Sequence, residues 1–223
     1  MEELLKRIYE ALNREDIYNL ELSKIFPYIE NSKFREYYSL LSTLCSKKIV
    51  MHCLAVSLYT YEVGLKLKNR GHNIDLDLAV FGALLHDIGR SRTHTIKHGV
   101  EGAKIVREHN LDERLALIVE RHIGGGITKK EAAELGLPPR DYIPRTLEEK
   151  LVAHCDNLTS GTKRVDINFV VEKYKGKLSC DSIDHPVITR IVKLNNEIIS
   201  LLLEEDTSHV QGYVEGQHTK GHT

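Results

Sequence analysis

The chain has no tryptophan, four phenylalanines, five prolines and four cysteines in 223 residues, and these scarcities close off several classes. Cys45, Cys53, Cys155 and Cys180 stand far apart with no C-x-x-C pair. Neither a zinc knuckle nor a disulfide framework is therefore expected, and most of the thiols are expected to be buried and unpaired. No apolar run approaches the roughly 20 residues that a membrane span needs, and the acidic start MEELLKRIYEAL lacks the features of a signal peptide. A cytoplasmic chain with no membrane partner is expected. An excess of one charge sign is missing as well: 31 Lys and Arg face 32 Asp and Glu, a net charge of -1. That balance gives no electrostatic ground for nucleic acid as the main partner, although a basic patch created by folding stays open. Glutamine occurs twice, both times near the C-terminus, while Lys, Glu and Ile are plentiful, a composition that leans towards heat-adapted proteins.

What is present is helical periodicity. Apolar positions recur at helical spacing nearly everywhere and strand alternation is scarce, so the predicted fold class is all-α, with enough hydrophobic residues (41%) for one sizeable core. Helices are expected over about 2–12 and 33–45 in an N-terminal arm, with Pro27 as a breaker between them. The next spans about 49–69 and ends at Arg70-Gly71. Another covers about 76–87, where Gly89 is expected to stop it in the left-handed conformation. Further helices are expected over 99–109, 112–123, 147–159 and 187–203, the third of these opened by Thr146 and Glu149 in capping-box spacing. The chain after Leu203 has no periodicity and is expected to be disordered.

Placed on these helices, several histidines and aspartates fall on inner faces. His52 shares a face with Val56, Tyr59 and Val63; His122 continues the stripe Leu111, Leu115, Ile118; Asp156 follows Val152 by one turn; His86 and Asp87 end the apolar segment FGALL. A buried carboxylate must be neutralised, hydrogen-bonded or bound to a cation. Imidazoles with carboxylates suit divalent Fe, Mn, Co, Ni or Zn alike. At a helix end, successive side chains diverge by about 100° and can still reach one cation, which the negative end of the helix dipole favours. Taken singly each residue has a plainer explanation. A histidine on an apolar face is more often a hydrogen-bonded core residue, a His-Asp dipeptide arises readily by chance among 12 histidines, and a lone Asp156 suits a buried ion pair. The ordered set is what points to a metal.

That set, His52, then His86-Asp87 34 residues on, then Asp156, resembles the HD-domain metal-dependent phosphohydrolases over about Lys47 to Leu158, and HDIG at His86 to Gly89 marks a subgroup. The resemblance implies an α-helical HD domain over 47–204, preceded by the arm 1–46 and followed by the tail 205–223. It implies His52, His86, Asp87 and Asp156 as ligands of a first metal. In dinuclear members two further histidines bind a second ion; His98 in KHGVEGA and His122 in ERHIGGG stand where these would be, with Asp87 bridging. Many dinuclear members have two consecutive histidines where this chain has Arg121-His122, and mononuclear members exist, so one or two ions per chain are expected. Such a centre lowers the pKa of bound water and screens charge on a phosphoryl group. The chain length, HDIGRSRTH and the long glycine-to-proline insert further resemble an archaeal subgroup acting, with Fe(II), on a pterin 2',3'-cyclic phosphate. This implies Fe(II), with Mn(II) as the alternative, and a small-molecule phosphate ester as substrate. A nucleotidase would share every ligand, and a helical regulator with a vestigial site is the non-catalytic alternative. A homo-oligomer stays open.

Around the ligands, Arg90, Arg92, Lys97 and Arg121 are candidate phosphate-holding cations, with Arg90 favoured because only Gly89 separates it from the end of the motif; solvation or pairing with the helix dipole accounts for such residues equally well. His94 is a candidate proton donor to a leaving alkoxide. The insert from His122 to Thr146 carries three successive glycines, a capping box at Thr128 and Glu131, and Pro138, Pro139 and Pro144. Its glycines would let backbone approach a ligand, and Tyr142 would stack on a base or pterin ring; a plain surface connection is the other reading. His154 and Cys155 are expected to face away from the site.

Overall fold

Capping residues and apolar periodicity together set the helix boundaries in the computed structural model, which describes residues 1–13, 20–180 and 182–203. The arm contains α1 (Glu2–Leu12), α2 (Leu20–Ile25), a 3-10 turn opened by Pro27 (Pro27–Glu30) and α3 (Ser32–Leu44). Then come α4 (Lys47–Asn69), α5 (Leu76–Leu85), a 3-10 turn (Ile88–Ser91), α6 (His98–Glu108) and α7 (Glu113–Arg121). The insert holds α8 (Lys129–Glu134) and is followed by α9 (Leu147–Asn157), α10 (Ile167–Leu178) and α11 (Pro186–Leu203). Asn31, Asp75, Asp112, Thr128, Thr146 and Asp166 each accept a backbone N–H of the first turn they cap, which satisfies donors that a helix start leaves free. The fold is all-α apart from a two-stranded antiparallel hairpin, β1 (Thr159–Ser160) with β2 (Lys163–Arg164). The expected helices are all present. Periodicity gave no sign of α2, α10 or the hairpin, and the tail 205–223 lies outside the described residues. No helix among those residues is long and apolar enough to cross a membrane.

One helix organises the rest. The sequence of α5, LDLAVFGALL, is apolar on every side, and Leu78 to Leu85 are all buried. It packs between α4, α7 and α9 and touches α3. Gly82 permits this: a Cβ there would meet the Ile118 side chain of α7 at 2.7 Å. The same core runs through the arm, where Phe26, Tyr28, Phe34 and Tyr37 pack edge-on or tilted around Phe81 of α5 and one another. Two smaller clusters flank it. One, Val100, Ile127, Ala132, Leu137 and Tyr142, lies under the insert; the other joins Leu158, Val170 and Ile191 where α10 and α11 meet α9. Cys53 and Cys155 are buried, Cys45 and Cys180 are half-buried, and all four are unpaired.

Because Phe34 is fully buried against Phe26, Tyr28 and Phe81, Phe34→Ala should cost about 3–5 kcal/mol, the range for a buried Phe truncated to Ala. Denaturant unfolding followed by circular dichroism measures this, and a loss under about 1 kcal/mol would show that the arm folds apart from the α5 core.

Candidate metal centre

Because α5 is buried, its C-terminal end emerges inside the protein. His86, its C-cap, is accordingly 0% exposed and Asp87 is 4% exposed. His122 caps the C-terminus of α7, Asp156 lies in the last turn of α9, His98 opens α6, and His52 is in the first half of α4. Three of these elements thus turn the negative end of their dipole towards one region, a placement that favours a cation.

All six residues picked out by the sequence meet there. Each histidine commits one ring nitrogen to a backbone carbonyl: Nδ1–H of His52 donates to Gly161 O, of His86 to Ala83 O, of His98 to Thr95 O and of His122 to Val119 O, each at 2.7 Å. A carbonyl can only accept, so this fixes the tautomer and leaves a lone pair on every Nε2. Those four Nε2 atoms face inward, 3.3 Å apart in the pair His52–His86 and 3.2 Å apart in the pair His98–His122. Carboxylates lie beside them. Asp156 Oδ1 is 3.0 Å from His52 Nε2 and 3.4 Å from His86 Nε2. Asp87 stands between the pairs, its Oδ2 3.9 and 3.8 Å from His52 and His86, its Oδ1 3.2 and 3.6 Å from His98 and His122. Neither of the latter nitrogens carries a hydrogen in the fixed tautomer, so buried Asp87 Oδ1 has no donor. Facing lone pairs and an orphaned buried carboxylate oxygen are what a cation resolves. The donor set fits a divalent metal: His52, His86 and Asp156 can hold one ion, and His86, Asp87 and His122 present a second set of converging atoms.

Protonation obeys the same geometry. Burial pushes Asp87 up, but the surrounding histidines, the charge on His86 foremost, hold the carboxyl well below its ordinary range. Asp156 is likewise held low, by His86 and His52 against burial. Burial lowers His86, yet Cys53, Asp87 and Asp156 together raise it well above its usual value. Burial lowers His122. The raised His86 favours a proton at the position where these atoms would otherwise share a cation.

Gly89 does not take the expected left-handed conformation. It sits in the 3-10 turn directly on the start of α6, where a Cβ would lie 1.9 Å from His98 O and 2.4 Å from Gly102 N. The glycine is needed for close approach, which sets His98 beside Asp87. Arg90 donates through Nε to Asp87 Oδ2 and lines the cavity. The other candidate cations are elsewhere. Arg92 is exposed and paired with Glu108 and Glu101, Arg121 is tied to buried Glu149, and Lys97 does not line the cavity. Arg121 therefore turns away from the centre, so the position at which many dinuclear family members have a histidine contributes nothing to this set. His94 is exposed on the cavity wall. Tyr142 is not available for stacking: it is 1% exposed, its hydroxyl donates to Pro138 O and its backbone pairs with Ile127. Gly125 approaches α11 rather than a ligand, since a Cβ there would meet Arg190 C at 2.5 Å and Ile191 N at 2.6 Å. His154 faces away, buried and pushed down to about 4.

The converging histidine and carboxylate atoms open into a cavity of about 960 Å³. Part of its wall comes from the insert, and part from residues that sequence reasoning missed: Lys173, Tyr174 and Lys177 of α10, Arg190 of α11, and the hairpin turn at Gly161 that orients His52. The Asp166 cap ahead of apolar positions is the local signal that could have located α10. Its cavity lysines are separated from the ligand motif in sequence, and only packing brings them near.

The HD domain family model matches residues 49–161, and the chain belongs to the HD-domain family of metal-dependent phosphohydrolases. It is 59% identical over 170 residues to the uncharacterized protein MJ0778 of Methanocaldococcus jannaschii, covering 76% of this chain and 99% of that one. It is 46% identical over 127 residues to a tRNA (cytidine(56)-2'-O)-methyltransferase of Picrophilus torridus, covering 57% of this chain and 36% of that protein. The protein of the same name from Thermoplasma volcanium is 44% identical over 138 residues, covering 62% and 39% respectively, so the chain spans little more than a third of either methyltransferase. Among solved structures, the HD domain of the Listeria monocytogenes phosphodiesterase PgpH superposes with a TM-score of 0.43 at 16% identity over 74% of this chain and 96% of that domain.

Two outcomes are expected. Gly89→Ala should lose bound metal and about 2–3 kcal/mol of stability through forced displacement of α6, measured by metal analysis and unfolding; a fully loaded, equally stable variant would refute the packing account. The pH dependence comes from the shifts. Raised His86 stabilises the metal-free protein fully below its unfolded pKa and that contribution fades as pH rises through the folded value; lowered Asp87 and Asp156 stabilise above the unfolded carboxylate pKa and fade in acid. The metal needs the proton gone, so the melting-temperature gap between metal-loaded and metal-stripped protein should widen from about pH 6 to about pH 8.5. A constant gap would mean that these groups do not bind the ion.

Proposed function

We propose that His52, His86, Asp87 and Asp156 hold one divalent ion, Fe(II) with Mn(II) as the alternative. His98 and His122 with Asp87 hold a second, and the centre hydrolyses a cyclic phosphate ester. The substrate we assign is 7,8-dihydroneopterin 2',3'-cyclic phosphate, opened to dihydroneopterin monophosphate in tetrahydromethanopterin biosynthesis. The observation that carries the metal chemistry is Asp87, a buried carboxylate shared between two inward-facing histidine pairs. When bound, the metal supplies a water of lowered pKa and screens phosphoryl charge.

The chain's own groups do the rest. Arg90 holds Asp87 Oδ2 and directs Nη2 towards His98, which keeps the shared carboxylate in place and sets a positive charge at the cavity edge. His94, exposed on the wall, donates a proton to the alkoxide as the ester P–O bond breaks and the new P–O bond to water forms. A cavity of about 960 Å³, with Ile49, Ile96, Ile123 and Tyr174 among its apolar lining, takes a ring system together with its phosphate. The choice of substrate rests on the resemblance of HDIGRSRTH and the insert to the pterin-specific subgroup.

A second reading, a nucleotidase or other nucleotide phosphohydrolase, uses the same ligands, and the similarity to two proteins named as tRNA methyltransferases favours a ribonucleotide as its substrate. A regulator without catalysis is opposed by the complete set of six ligand residues.

Anaerobically purified protein loaded with Fe(II) or Mn(II) should hydrolyse 2',3'-cyclic phosphates in preference to 3',5'-cyclic nucleotides and nucleoside monophosphates, the pterin ester best of all. Preference for a ribonucleotide would select the second reading, and metal binding with no turnover would select the regulator. Asp87→Ala should abolish metal retention and lower turnover by at least about 100-fold while leaving the helical circular dichroism signal intact; full turnover in that variant would defeat the centre itself.

A further inference from the structure

The arginines that suit a phosphate by sequence position are already engaged, Arg92 with Glu108, Arg121 with Glu149 and Arg90 with Asp87, and Arg190 on the cavity wall is paired with Glu131. The α10 wall is different. Lys173 and Lys177 are one turn apart on the same face, both line the cavity that holds the ligand set, and among the described residues neither forms an ion pair. The acid beside them in sequence, Glu172, is bonded to Lys175 instead. Like charges at this spacing repel along a helix, and burial first, then the charges of Lys173 and Arg90, lower Lys177 despite the attraction of Asp156. Lys177 also lies 5.2 Å over the ring of Tyr174, which orients its stem along the wall. Two lysines without a carboxylate partner, on the wall of the cavity that also holds the six converging histidines and aspartates, form a seat for an anion.

We propose that Lys173 and Lys177 are specificity-determining residues that hold the phosphoryl oxygens of the substrate from the α10 wall. The assignment rests on the phosphoester reading of the same cavity. It has a consequence for turnover: a cyclic diester carries one negative charge, whereas the opened monoester carries about 1.5 to 2 at neutral pH, so the lysines grip product more firmly than substrate.

The test uses the Mn(II)-loaded full chain and the double variant Lys173→Gln/Lys177→Gln, with inorganic phosphate as the probe in titration calorimetry. Metal content should equal wild type, phosphate affinity should fall about tenfold or more, KM for the cyclic ester should rise by a similar factor, and Lys173→Arg/Lys177→Arg should restore most of both. An unchanged phosphate affinity in the Gln variant overturns the assignment, as does a wild-type protein with no saturable phosphate binding. If phosphate binding weakens as expected but wild type turns over no cyclic ester, the anion seat stands and the substrate reading falls.

Discussion

The structure depends on one electrostatic constraint. Four imidazoles have given their Nδ1–H to backbone carbonyls, so four Nε2 lone pairs and two carboxylates converge with no hydrogen to share between them. Such an arrangement is repulsive unless a cation or a proton occupies it. The carbonyls that impose it belong to Ala83 at the end of α5, Val119 in α7, Thr95 just before α6 and Gly161 in the hairpin turn. The orientation of the histidines is thus written into backbone placement, and the backbone placement into how the helices pack.

That packing is exacting near the site. Gly82 lets α7 approach α5, and Gly89 lets the turn after α5 rest on α6, with backbone atoms where any side chain would stand. Small residues at both contacts bring His122 and His98 together beside Asp87 Oδ1. The arm supports this from behind, since its aromatic residues close around Phe81 of α5. The chemistry therefore sits at the end of the most deeply buried helix in the core, consistent with the need to hold ligands within small tolerances.

The rest of the cavity is made differently. Its walls come from the insert, α10 and α11, which pack on the main core through smaller clusters. The division separates two parts: the core sets the converging histidines and aspartates, and the outer wall shapes the space in front of them. A chain can keep the first and change its substrate through the second, so membership of the HD-domain family specifies metal-dependent phosphoester chemistry better than it specifies the alcohol.

By itself the sequence determined the helices whose periodicity and caps are local, including the Thr128–Glu131 capping box, and it marked all six residues that converge, because their order along the chain is distinctive. It was silent on α10 and the hairpin and misplaced several roles. Gly89 was expected to end a helix by a left-handed turn, Tyr142 to stack on a ring, and Arg92, Lys97 and Arg121 to meet phosphate. Each of those expectations failed on a contact that the local sequence does not specify. Tyr142 is consumed by the insert's own core and Arg121 by Glu149, partners that only packing supplies. Local rules fix which backbone bonds form and which face is apolar; the neighbours of a side chain are fixed by how whole helices pack against one another, and that is why the α10 and α11 side of the cavity wall belonged to the tertiary structure alone.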